Sequence, residues 1–124
     1  MLATRLAHTY SIVARDPKTL EMGVAVQSHY FSVGSIVPWA EPGVGVVATQ
    51  ALVELSYGPL GLELMRKGRT APQALRELLA SDKDPAIRQV AMLDVRGRVA
   101  VHTGKKCIPE AGHLKGPTTP CRRT

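Results

Sequence analysis

Apolar and polar positions alternate with period two over residues 10–15 and again over 22–28, where Met22, Val24 and Val26 interleave with Gly23, Ala25 and Gln27. That pattern predicts two paired strands with small residues on one face. Asp16-Pro17 between them initiates a turn, because the proline ring fixes φ. A short strand is expected at Val33 to Val37, ended or edged by Pro38, and another at Val44 to Gln50 after the turn Glu41-Pro42-Gly43. The period then changes to that of helices. Pro59 opens a first helix in which Leu60, Leu64 and Met65 share a face, and Gly68 stands where a left-handed C-terminal residue belongs. The second helix begins with a capping box, Thr70-Ala71-Pro72-Gln73, and carries an apolar stripe of Ala71, Ala74, Leu75, Leu78 and Leu79. Residues 89–95 and 98–103 form a second hairpin around Arg96-Gly97.

After Gly104 the periodicity fades, and the last residues, KGPTTPCRRT, read as a disordered tail. The organisation expected is a leader over 1–8, one domain over 9–116 and a tail over 117–124. The order strands, helices, strands indicates an α+β protein, with helices layered on antiparallel sheets.

The chain has 124 residues, enough for one domain with a core of its own. Its net charge of +6 raises the question of nucleic acid. Residues 1–104 hold 11 Lys and Arg against 9 Asp and Glu, however, and residues 105–124 hold 5 against 1. Much of the excess is thus terminal, and no aromatics are interleaved with it, so no nucleic-acid partner is expected. No apolar run is long enough to span a membrane and no signal-peptide core precedes Thr9, which leaves the cytoplasm as the default location. Cys107 and Cys121 lack metal-ligand spacing, and two free thiols are favoured over a disulfide. Neither a metal site nor a phosphate-binding glycine loop is visible, and no cofactor is expected.

Candidate chemistry is sparse. His8, His29, His102 and His113 are not spaced as a helical metal pair. Ser28 and His29 are neighbours in a strand, so their side chains diverge and adjacency makes no dyad. Thr49-Gln50 and Ser56-Tyr57-Gly58 lie at element ends, where functional groups are often presented, but cap and turn chemistry is the favoured reading of these residues by themselves.

Six segments in order, TYSIVARDP, MGVAVQSH, SIVPWAEPGVGVVATQ, SYGPLGLELM, HTGKKC and AGH, resemble the domain of unknown function 1028 family, which is itself similar to the N-terminal-nucleophile hydrolases. The resemblance spans roughly residues 8–116. It implies a layered αββα sandwich with two facing antiparallel sheets, and hydrolysis of an amide bond in a small-molecule or peptide-like substrate. Thr9 falls where that family has its threonine and is the implied nucleophile, with its own α-amine as general base. Ser28 is then placed to orient that amine, and Thr49, Gln50 and His113 become cleft candidates. Eight residues stand before Thr9, so this role requires cleavage of the His8–Thr9 bond or a later start of synthesis. The resemblance also implies further strands and helices beyond the AGH segment. The sequence LKGPTTPCRRT departs from it, and the sandwich is expected to be incomplete, with an uncovered sheet face that drives homo-oligomer formation. The alternative is a non-catalytic binding or assembly module on the same fold.

Overall fold

A computed structural model describes residues 8–116 and 120–123, the last four by their backbone. β1 (Tyr10–Arg15) and β2 (Met22–Gln27) form the expected hairpin, with Tyr10 opposite Gln27 and Arg15 opposite Met22. β3 (Pro38–Glu41) and β4 (Gly45–Ala51) follow, then α1 (Tyr57–Arg66) and α2 (Ala71–Ser81). β5 (Arg88–Asp94), β6 (Val99–Thr103), β7 (Gly112–Lys115) and β8 (Pro120–Arg123) complete the described elements. Two antiparallel sheets result, in the orders β2-β1-β8-β7 and β3-β4-β5-β6.

β4 and β5 are buried along nearly their whole length, which requires cover on both faces. One face, bearing Val47, Val90 and Met92, packs under Leu62, Met65, Leu75 and Leu78 of the helices. The other, bearing Val46, Ala48, Ala91 and Leu93, packs against Val13, Val24 and Val26 of the first sheet. The strand pleat sends alternate residues into these two cores. The architecture is therefore mixed α+β: helices, sheet, sheet. Both helices lie on the β3-β4-β5-β6 sheet, and among the described residues the outer face of the other sheet has no helical cover. None of the described helices is long and apolar enough to cross a membrane.

Three expectations are corrected. Residues 33–37 do not form a strand: Val33–Ser35 is a single 3-10 turn, and Pro38 opens β3 instead of ending a strand. Since β3 is an edge strand, a residue without an N–H is tolerated there. In α1 the packed face is Tyr57, Gly58, Gly61, Leu62 and Met65, while Leu60 is 43% exposed. Two glycines set this face. A Cβ on Gly58 would fall inside the Trp39 indole, so the helix approaches Trp39 only without that side chain, and one on Gly61 would lie 2.8 Å from Met92 Cε, the movable end of a flexible side chain. Lastly, the region after Gly104 is not uniformly irregular. β7 and β8 lie there, β8 pairing with β1 and β7 with β8. Their order comes from sheet hydrogen bonds, which leave no trace in hydrophobic period. Residues 117–119 and 124 of the expected tail, and 1–7 of the leader, lie outside the described residues.

The capping box at Thr70 forms as expected: Thr70 Oγ1 accepts from the Gln73 N–H at 3.1 Å, and Gln73 Oε1 accepts from the Thr70 N–H at 2.9 Å. Asp94, buried at the end of β5, accepts from the Ala71 N–H at 2.9 Å and so ties the α2 N-terminus to the β5–β6 hairpin.

Candidate active site

The β1–β2 register continues one step past the hairpin's open end. With Tyr10 opposite Gln27, Thr9 comes opposite Ser28. Ser11 and Val13 are buried beneath the sheet, and by alternation Thr9 shares their inward face, as Ser28 shares that of Val26. The two hydroxyls meet: Thr9 Oγ1 and Ser28 Oγ are 2.8 Å apart. Ser28 Oγ also accepts from the Tyr30 N–H at 3.0 Å, which fixes its position.

Facing this pair is the end of β4. Gln50 lies on the inter-sheet face of that strand and is buried. Ala51 then takes a left-handed conformation, φ 70°, without being a glycine, and the chain turns outward through Leu52. Such a conformation in an alanine is held by its surroundings. One holding contact is visible: Arg88 Nη1 donates to the Leu52 carbonyl at 2.7 Å.

Thr9, Ala51 and Leu52 form a common wall between two pockets. The first, about 320 Å³, is bounded further by Ser28, Tyr30, Ile36 and Gln50. The second, about 400 Å³, is bounded by Ile87, Lys106, Cys107 and Ile108. Both are within the size range of small-molecule sites and are mainly apolar. Lys106 and Cys107 were missed as site residues by sequence reasoning. The available signal was the HTGKKC segment, and the loop it forms is brought to Thr9 by backbone bonds from Gly104 N–H to Arg88 O and from Lys106 N–H to Ala86 O, both 2.9 Å.

The other expected site residues divide. Gln50 is in the first pocket with Thr9 and Ser28. Thr49 is not: alternation puts it on the helix-side face with Val47, where its Oγ1 is buried without a hydrogen-bond partner among the described residues. His113 is exposed on β7 and outside both pockets, yet it is linked to Gln50 by a polar chain. Gln50 Nε2 donates to Gln89 Oε1 at 2.7 Å, Gln89 Nε2 donates to Thr103 Oγ1 at 3.2 Å, and Thr103 Oγ1 bonds His113 Nδ1 at 2.9 Å. His29 also borders the first pocket.

Behind the Leu52 turn, on the helix side, lies a further pocket of about 340 Å³ holding Glu54, Tyr57, Asp82 and Arg88. Its charges satisfy one another. Arg88 Nε donates to Asp82 Oδ2 at 2.8 Å, and Tyr57 Oη donates to the same oxygen at 2.9 Å. The Arg88 guanidinium, more than burial can oppose, holds the Asp82 carboxyl down at about 2. Burial, then the bond to Asp82, pushes the Tyr57 phenol up. Among the described residues no cluster of His, Cys, Asp and Glu suits a metal ion.

The fold and this cleft define an α+β protein with two facing antiparallel sheets and a hydroxyl pair at the open end of one hairpin. Residues 9–122 match the family described as "Family of unknown function (DUF1028)", and the chain belongs to that family. A crystal structure of a Silicibacter pomeroyi protein, also assigned to it, is similar over 94% of this chain with a TM-score of 0.88 and 27% identity. The chain covers 54% of that protein, so it spans about half its length. No curated protein matches.

Proposed function

We propose that the protein is an N-terminal-nucleophile-type hydrolase of an amide bond, with Thr9 as nucleophile. The observation that carries this reading is the Thr9–Ser28 hydroxyl pair at 2.8 Å, set in the wall shared by two pockets, where a substrate can extend to both sides of the reacting atom. Thr9 becomes competent when the His8–Thr9 bond is cleaved. Its Oγ1 then bonds to the substrate carbonyl carbon while its proton passes to the freed α-amine. The C–N bond breaks, and the leaving nitrogen takes up that proton. Water, deprotonated by the same amine, attacks the ester carbonyl carbon; the bond from that carbon to Thr9 Oγ1 breaks, Oγ1 takes the proton back from the amine, and the acid is released. An α-amine titrates near about 7.7–8.0, suited to moving a proton both ways at neutral pH. Ser28 holds the Thr9 hydroxyl, and Gln50 offers a polar group on the first-pocket side.

Intact-mass spectrometry tests the processing step. A species beginning at Thr9 is expected, and it should hydrolyse simple amides with a rate that rises with pH through about 8. A chain that keeps the residues before Thr9 under all conditions, and turns over no amide, would sink the proposal.

A further inference from the structure

We infer that the pocket between Leu52, Ile87 and Ile108 binds an apolar chain that carries a carboxylate, with the Lys106 ammonium as its anchor. If Thr9 is the nucleophile, as proposed above, the substrate is then an amide of an acidic, otherwise apolar compound. The inference takes its charge preference from this pocket alone.

Three observations carry it. The walls are aliphatic, from Ala51, Leu52, Ile87 and Ile108, so the body of the ligand is apolar. Lys106 is the charged group at the wall, and among the described residues no carboxylate lines either this pocket or its neighbour across Thr9. An anionic ligand finds Lys106 at the wall, while Asp84, the carboxylate beside Lys106, is not among the residues that line the pocket. The third observation is how Lys106 is held. Its backbone is pinned by the bond to Ala86 O, and Gly104 packs against the Ala86 carbonyl so closely that a Cβ has no room. Its ammonium, by contrast, sits 3.7 Å from Asp84, with both side chains open to water at 68% and 41% exposure. An exposed pair of that length contributes little and yields to a better-placed anion. A fixed root and a loosely held charge let Lys106 close on a carboxylate at the pocket mouth.

A shift titration by NMR with hexanoate, hexan-1-ol and hexylamine, on the full chain, tests this without any need for turnover. Hexanoate should bind about tenfold more tightly than hexanol, with shifts at residues 51–52, 87 and 106–108, and hexylamine more weakly than both. Lys106→Ala should bring hexanoate to the level of hexanol, and Lys106→Glu should reverse the preference toward hexylamine. Equal affinity for the three probes, hexanoate binding untouched by Lys106→Ala, or shifts confined to other regions would overturn the inference. Hexanoate binding in a chain that hydrolyses no amide would leave the pocket assignment standing and count against the hydrolase alone.

Discussion

Arg88 reaches from the first position of β5 to the carbonyl oxygen of Leu52, 2.7 Å away, and so joins the helix-side ion pair to the turn that walls the cleft. The same guanidinium is held by Asp82, and the two side chains are only 13% and 5% exposed. Removing one member strands a buried charge. Arg88→Gln or Asp82→Asn should therefore cost about 3–5 kcal/mol. Arg88→Lys keeps the charge but cannot serve Asp82 and Leu52 together, and should fall between these variants and wild type. Urea unfolding midpoints provide the measurement, and losses under about 1 kcal/mol would show that the pair and its clamp on Leu52 are dispensable.

Acid should expose the same pair. The Asp82 carboxyl lies at about 2 in the folded protein, against an ordinary value near 3.8. A lowered folded value means that its contribution, about 2 kcal/mol, is complete above about pH 4 and is lost as pH falls toward 2. Comparing wild type with Asp82→Asn isolates it: the stability gap should narrow across that window. A gap that stays constant from pH 5 to 2 would contradict the assignment.

Thr9→Ala should abolish amide hydrolysis while changing stability by no more than about 1 kcal/mol, since it alters one half-buried residue at a strand end. Activity that survives the change would remove Thr9 from the mechanism.

The helix–sheet core should respond steeply to volume. Leu75 is buried against the β4–β5 face, and Leu75→Ala should cost about 2–5 kcal/mol. Gly58→Ala acts in the opposite sense, by forcing a methyl into Trp39, and should destabilise by about 1–3 kcal/mol or more. A tolerated Gly58→Ala in thermal melts would show that α1 can back away from the sheet.

The outer face of the β2-β1-β8-β7 sheet presents Tyr10, Ile12 and Leu114, the last 77% exposed. The register aligns Ile12 and Leu114 on either side of β8, through Cys121. We expect this face to drive self-association, as exposed apolar surface does when extended. Size-exclusion chromatography with light scattering should show mass rising with concentration, and Ile12→Lys with Leu114→Lys should suppress it. A monomer at every concentration would rule the interface out.

The local periods and caps of this sequence were sufficient for the β1–β2 hairpin, the capping box at Thr70, the apolar stripe of α2 and the β5–β6 hairpin. Each is encoded within a few residues, by alternation, by a side chain that reaches its own backbone, or by a glycine that accepts positive φ. The candidate site was legible in part through the family resemblance, which pointed to Thr9 and Ser28; that the two face each other follows from the register of the folded hairpin, in which Tyr10 faces Gln27. What lay beyond local reach was decided by packing between distant segments. The buried face of α1 runs through Gly58 and Gly61, where the fit to Trp39 requires the absence of a side chain at Gly58, and an absent side chain gives no hydrophobic signal. Thr49 and Gln50 are adjacent in sequence but enter opposite cores, because β4 is covered on both sides and each pleat step changes the neighbour. β7 and β8 join the first sheet by backbone bonds that need no apolar pattern. Lys106 and Cys107 reach Thr9 only because Gly104 and Ala86 lock their loop beside β5, a contact between segments eighteen residues apart that no local period records.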